Sequence, residues 1–117
     1  MDRFVRRLVE RLVAEGRPLS RNRHFHTFDT PEGRTALRTA RRLRALERNI
    51  QRCTADGGTV SLQAYPGHGA ARAVELCIAQ KVGTHRAYLS LEELELLRAL
   101  PSLAPLLAGG PVARATA

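Results

Sequence analysis

The spacing of the apolar residues changes from a helical period to a strand period at Asp56-Gly57-Gly58. In residues 2–15 and 31–54 apolar side chains recur with a period of about 3.6 residues, and from Thr59 onward they alternate with polar ones. Two consecutive glycines are typical of a chain that ends a helix and turns. Long amphipathic helices followed by alternating strands predict an α+β domain, with helices packed on one face of a small sheet.

The first amphipathic helix is predicted over residues 2–15. Asp2 is a suitable N-terminal cap, and Gly16 followed by Pro18 ends the pattern. The apolar half of this helix comprises Phe4, Val5, Leu8, Val9, Leu12 and Val13. We expect this half to dock on the core or on a second copy of the chain. The alternative is that the basic helix lies on an anionic membrane surface.

Residues 17–30 show neither a helical nor a strand period, and a loop or lid is predicted there. His24 and His26 are one residue apart, so in an extended segment both imidazoles would point the same way and could share a metal ion. The sequence offers only distant candidates for a third ligand. The alternative is a polar loop anchored by Phe25 and Phe28, and we assign no metal to the histidines.

A second, longer helix is predicted over residues 31–54. Thr30 supplies a capping hydroxyl, Pro31 suits the first helical position, and Glu32 complements the helix dipole. One side of this helix is apolar and holds Ala36, Thr39, Ala40, Leu43, Leu46, Ile50 and Cys53. The opposite side, here called the arginine face, holds Arg34, Arg38, Arg41, Arg48 and Arg52, flanked by Arg42 and Arg44.

The arginine face lies in a strongly basic chain. The 117 residues carry 19 Lys and Arg against 11 Asp and Glu, which gives a net charge of +8. Like charges four residues apart, such as Arg48 and Arg52, destabilise an isolated helix, so a helix selected for stability alone would interleave glutamates. At 1.5 Å per residue the face extends over about 27 Å, enough to span several phosphates. The alternative is a charged face that serves only solubility.

Three strands are predicted to form an antiparallel meander over residues 59–89. They cover residues 59–65, 73–81 and 85–89. The side chains predicted to face the helices are Val60, Leu62, Ala64, Val74, Leu76 and Ile78. The opposite, polar face is predicted to present Gln63, Tyr65, Glu75, Cys77, Arg86 and Tyr88. Aromatic and basic side chains on a sheet surface are typical of proteins that bind single-stranded nucleic acid.

A helical region is predicted over residues 90–107. Ser90 and Glu93 have the spacing of a capping box. The leucines expected on its buried face are Leu91, Leu94, Leu97 and Leu100. Residues 108–117 are predicted to be a disordered tail. In topology alone, the strands and capped helix of residues 59–107 resemble the repeat of Pur-type single-strand-binding proteins, without the fourth strand of that repeat.

No motif in the sequence indicates an enzyme or a cofactor. Cys53 and Cys77 have neither the spacing of a zinc site nor the number needed for a disulfide framework, and we expect both to be small buried apolar residues. Cys77 and His85 lack the acidic residue that would orient a nucleophile pair. The Gly-containing stretch over residues 65–72 lacks the spacing of a phosphate-binding loop and is expected to be a hairpin loop.

The pattern as a whole predicts a single α+β domain over residues 1–107, with two N-terminal helices, a three-stranded meander and a C-terminal helix. We expect a small, non-enzymatic regulatory protein of bacterial type that contacts nucleic-acid phosphates through the arginine face. Arg21 and Arg23 of the loop would extend this contact, and Arg86 and Tyr88 would add a contact on the sheet.

The alternative partner is an acidic protein surface, which the same arginines would bind if the chain is an adaptor or assembly protein. A homodimer is expected in either case, through helix 2–15 or through a sheet edge. No apolar run approaches the roughly 20 residues of a membrane span, and the N-terminal residues do not form a signal-peptide core. A cytoplasmic location is therefore expected.

Overall fold

The structure is a computed structural model, and it describes residues 2–15 and 30–107. Its elements are α1 (Arg3–Glu15), α2 (Pro31–Ala55), β1 (Thr59–Ala64), a 3-10 turn (Ala70–Arg72), β2 (Val74–Gln80), β3 (Gly83–Leu89), α3 (Leu91–Arg98) and α4 (Ala104–Leu107). Helices at both ends and a three-stranded antiparallel sheet confirm the α+β class. The predictions for residues 17–29, including Arg21, Arg23, His24 and His26, and for the tail 108–117 lie outside the described residues.

The chain divides into two compact units, Met1–Leu46 and Glu47–Ala117. In the first unit, the Asp2 carboxylate caps α1 by accepting a hydrogen bond from the Phe4 N–H at 2.8 Å. The buried side chains of α1 are Val5, Leu8, Val9, Leu12 and Val13. Phe4 is 46% exposed, contrary to expectation, because it lies at the margin of the apolar half and in the first turn.

The part of α2 in the first unit begins at the predicted cap. The Thr30 hydroxyl accepts a hydrogen bond from the Gly33 N–H at 3.0 Å. The buried apolar residues of this part are Ala36, Leu37, Ala40, Leu43 and Leu46. Leu37 was not expected among them, since it lies between Arg41 and Arg44 on the helical wheel. Burial in the first unit therefore extends to one margin of the arginine face.

In the second unit, α2 ends at the predicted glycines. Gly57 adopts a left-handed backbone conformation with φ of 79°, and the Gly58 N–H donates to the Cys53 carbonyl at 2.8 Å. A Cβ on Gly58 would lie 2.5 Å from both Cys53 Sγ and the Ala79 carbonyl oxygen. Only glycine fits this contact between the end of α2 and the sheet.

The sheet has the order β1-β2-β3, and both strand pairs are antiparallel. Its apolar face carries Val74, Leu76, Ile78, Ala87 and Leu89, which are all buried. Leu94, Leu97, Leu103 and Leu107 of the C-terminal region complete this core. The apolar row of β1, in contrast, is only half-buried. The apolar side of β1 is therefore less covered than that of β2 and β3.

The C-terminal region contains the predicted capping box. The Glu93 N–H donates to Ser90 Oγ at 3.1 Å, and the Ser90 N–H donates to Glu93 Oε1 at 2.9 Å. Leu91 is exposed, and Leu96 is buried in its place, which corrects the predicted leucine stripe. Leu91 is the first residue of α3 and lies at the margin of the buried side of this helix.

Candidate nucleic-acid interface

Seven residues of the predicted interface are arginines of α2, and five of these seven belong to the first unit. Arg34, Arg38, Arg41 and Arg42 are exposed, and Arg44 is half-buried. Arg38 Nη2 lies 3.5 Å from Thr35 Oγ1, the limit for a hydrogen bond, so its guanidinium keeps most of its donors for solvent. Because Leu37 is buried beside Arg44, the exposed part of the face is narrower here than the sequence predicted.

The other two arginines, Arg48 and Arg52, lie in the second unit and are both exposed. They are one helical turn apart, and neither forms an ion pair with any residue that the structure describes. Glu47 is next to Arg48 in sequence, but its Oε2 accepts a hydrogen bond from Ser102 Oγ at 2.6 Å. Asp56 follows Arg52 by four residues and forms no ion pair with it. Glu47 thus binds the C-terminal region, and the two guanidinium groups remain a local excess of positive charge.

The polar face of the sheet presents the residues that the alternation predicted. Gln63, Glu75 and Tyr88 lie opposite one another across the three strands. In the next row, Cys77 lies opposite Arg86. The predicted orientation of the sheet is therefore confirmed. Arg86 and Tyr88 are brought to one surface of the sheet.

Glu75 interacts with several side chains of this polar face. Although it points away from the apolar core, it is only 7% exposed, because neighbouring side chains cover it. Gln63 Nε2 donates a hydrogen bond to Glu75 Oε1, and the Tyr88 hydroxyl also hydrogen-bonds with the carboxylate. Arg86 Nε lies 4.0 Å from the same oxygen, with its own side chain 58% exposed. A carboxylate that is this well buried requires such partners.

The Tyr88 phenol responds to this environment. Partial burial of the ring, followed by the negative charge of Glu75, raises the pKa of Tyr88 above its ordinary value of 10.0. Tyr65 and its hydrogen bond with Tyr88 act in the same direction. Tyr88 is therefore held as a neutral hydrogen-bond donor toward Glu75.

An aromatic group extends from Tyr88 to the loop after β1. The rings of Tyr88 and Tyr65 have centroids 4.6 Å apart and are tilted, while His68 stacks on Tyr65 at 3.7 Å. His68 Nδ1 lies 2.8 Å from the Pro66 carbonyl oxygen, which fixes the imidazole in place. Sequence reasoning placed the two tyrosines on one face and missed His68. The tight turn at Pro66-Gly67 was the signal that could have indicated it, since it returns the chain toward Tyr65.

The remaining candidates among the described residues are the two cysteines, His68 and His85. Across residues 2–15 and 30–107, no three His, Cys, Asp or Glu side chains are placed to hold a metal ion. Cys53 is buried, as expected, and its thiol lies 3.4 Å from the Ala79 carbonyl oxygen. Cys77 is half-exposed, which corrects the expectation of burial, because it lies on the polar face. His85 lies opposite Ile78 and belongs to the other face, so it does not meet Cys77.

None of the described helices combines the length and the apolar character that crossing a bilayer requires. Comparison of the chain with known protein families, curated proteins and solved structures found no match. The chemistry of the residues described above is therefore the basis for a function.

Proposed function

We propose that the protein is a non-enzymatic nucleic-acid-binding protein that contacts phosphates through the arginine face of α2. The observation that carries this proposal is the exposure of Arg38, Arg48 and Arg52 without an ion-pair partner in the described part of the chain. The arginines nearest to these residues on α2 add to the positive field. Such a field attracts polyanions and raises the rate at which they are bound.

Arginine suits this role for chemical reasons. Its guanidinium stays charged at every physiological pH and offers donors in a fork that matches two phosphate oxygens. Arg48 and Arg52 are separated by about 6 Å along the helix axis, so their long side chains can reach different phosphates. Contacts of this kind give affinity without reading sequence, and we propose no base-specific recognition.

The sheet contributes less to the proposed interface. Arg86 is offset by the nearby carboxylate of Glu75, and the hydroxyl of Tyr88 is engaged by the same group. Both residues are therefore secondary contacts in this proposal. Their loss should change affinity less than the loss of arginines from α2.

Fluorescence anisotropy with labelled single-stranded and duplex oligonucleotides tests the proposal. The test variant replaces Arg38, Arg48 and Arg52 with Gln, which keeps helix propensity and lowers the net charge from +8 to +5. The matched control replaces Arg3, Arg7 and Arg11 of α1 with Gln and reaches the same +5. Nuclease-treated protein is used, and circular dichroism checks that both variants are folded.

The proposal predicts that the α2 variant loses roughly 10-fold to 100-fold in affinity while the α1 variant stays close to the wild type. Equal losses in both variants would show that net charge alone governs binding. No binding of either oligonucleotide near 150 mM salt would contradict the proposal and would direct the search to an acidic protein partner.

A further inference from the structure

We propose that the open edge of β1 pairs with β1 of a second copy of this chain, so that two three-stranded sheets join into one antiparallel sheet. This inference is independent of nucleic-acid binding. It begins from the position of β1, which is the edge strand on one side of the order β1-β2-β3. An edge strand presents a row of unpaired backbone groups that can bind another strand.

The backbone groups at this edge can be assigned. The Tyr65 N–H donates to the Ala73 carbonyl at 2.9 Å. Because hydrogen-bonded and non-hydrogen-bonded residues alternate along an antiparallel strand, every second residue of β1, counted back from Tyr65, directs its N–H and C=O groups toward β2. The N–H and C=O groups of Val60, Leu62 and Ala64 consequently point away from β2. Among residues 2–15 and 30–107, no backbone hydrogen bond reaches these groups.

The edge also lacks the features that normally protect an edge strand. Charged residues make up 26% of the chain, yet β1 has the sequence TVSLQA and carries no charge and no proline. Its register with β2 runs without a bulge from Thr59 to Ala64. The opposite edge is different, because β3 carries His85 and Arg86 and starts at a glycine. Natural sheets use charges, prolines and bulges to prevent pairing, and β1 has none of them.

The apolar side of β1 is incompletely covered. Val60 and Leu62 are half-buried, whereas Leu76 and Ile78 on the neighbouring strand are almost fully buried. Leu106 of α4, an element that contacts β1, is also exposed. A strand added beside β1 would bring a second apolar row over this surface and reduce its contact with water.

A two-fold axis perpendicular to the sheet gives a register for the pairing. Such an axis keeps the apolar rows of both copies on the same side of the joined sheet. When Ser61 lies opposite Ser61 of the second copy, Val60 lies opposite Leu62 of the second copy. Each of the two Val60–Leu62 pairs then exchanges two backbone hydrogen bonds through the groups that point outward. The sequence of β1 is therefore complementary to itself.

The lack of charge on β1 allows a second copy of the chain to approach at this edge. Two molecules with a net charge of +8 repel each other over most surfaces, and the uncharged β1 edge is a place where they can approach closely. A partner strand with acidic residues would find no basic side chain on β1 to pair with. A small domain also gains stability when it extends its core by association.

Analytical ultracentrifugation of the nuclease-treated full chain tests the proposal. Ser61 and Thr84 are both exposed on strands at opposite edges of the sheet. Ser61→Lys places two like charges directly opposite each other in the proposed dimer, and Thr84→Lys is the matched control with the same added charge. We expect a dimer for the wild type, a dissociation constant raised about fivefold in Ser61→Lys, and no change in Thr84→Lys.

Cross-linking tests the register separately. In a Cys77→Ser background, Ser61→Cys should form an intermolecular disulfide in oxidised glutathione, while Thr84→Cys should remain reduced. A wild-type chain that stays monomeric at about 100 μM, well above typical dimer dissociation constants, would overturn the proposal. A dimer that Ser61→Lys leaves intact and that Ser61→Cys does not cross-link would overturn it as well.

Discussion

Glu75 and Tyr88 lie directly opposite each other on β2 and β3, and the Tyr88 hydroxyl hydrogen-bonds with the buried carboxylate of Glu75. This pair joins two strands on the face of the sheet that is otherwise exposed. It also links the conformation of the face to the protonation of one phenol.

The first prediction concerns the titration of Tyr88. The pKa of Tyr88 is raised from 10.0 in the folded protein. The protonated phenol therefore stabilises the fold below pH 10.0, and this stabilisation is lost as the pH rises through the higher folded-state pKa. The chain has two tyrosines, so in Tyr65→Phe only Tyr88 titrates. We expect the ultraviolet absorbance of this variant to show a midpoint above 10.0 that falls when Glu75→Gln is added. A midpoint at or below 10.0 would contradict the assignment.

The second prediction concerns the close approach of Gly58. Gly58→Ala places a methyl group 2.5 Å from the Ala79 carbonyl oxygen, and backbone at that position cannot move aside easily. We expect the free energy of unfolding in urea to fall by about 1–3 kcal/mol. Gly57→Asn is the control, because nothing lies within 4 Å of a Cβ there and asparagine tolerates the left-handed conformation. Equal free energies of unfolding for the two variants would contradict the close approach of Gly58 to the sheet.

The third prediction concerns the two thiols. Cys77 is half-exposed on the polar face, and Cys53 is buried at the end of α2. A water-soluble thiol reagent should therefore modify one cysteine of the folded protein quickly, and Cys77→Ser should abolish that fast reaction. In denaturant both thiols should react. Fast modification that persists in Cys77→Ser would come from Cys53 and would contradict its burial at the end of α2.

The fourth prediction concerns the start of α3. Ser90→Ala removes the side chain that accepts the Glu93 N–H and should lower the free energy of unfolding by about 1 kcal/mol. Ser102→Ala is a suitable control, because the hydroxyl it removes makes an exposed hydrogen bond with Glu47. Thermal or urea unfolding of the two variants gives the comparison, and a larger loss in Ser102→Ala would contradict the capping role.

Local chemistry allowed the helix ends and strand faces to be predicted. Asp2, Thr30 and Ser90 each supply an oxygen that accepts a backbone N–H, and such caps depend on residues only a few positions away. The alternation from Thr59 fixed which side chains share a face, since one step along a strand reverses the side. These features need no knowledge of distant contacts.

The burial of individual side chains was harder to predict, because it depends on residues far away in the sequence. Glu75 is buried by Gln63 and Tyr88 from two neighbouring strands, and a polar residue on an open sheet face gives no local sign of this. Leu37 is surrounded by arginines on the helical wheel, yet packing within the first unit buries it. The arginine face was accordingly predicted in its composition but not in its width.

The salt dependence of oligonucleotide binding tests the central claim most directly. For duplex DNA the slope of log affinity against log salt is about −0.9 for each phosphate neutralised. The account predicts that replacing Arg38, Arg48 and Arg52 with Gln makes this slope shallower by about two to three, while the matched α1 variant keeps the wild-type slope. Identical slopes for the wild type and both variants would contradict the claim that α2 binds phosphates.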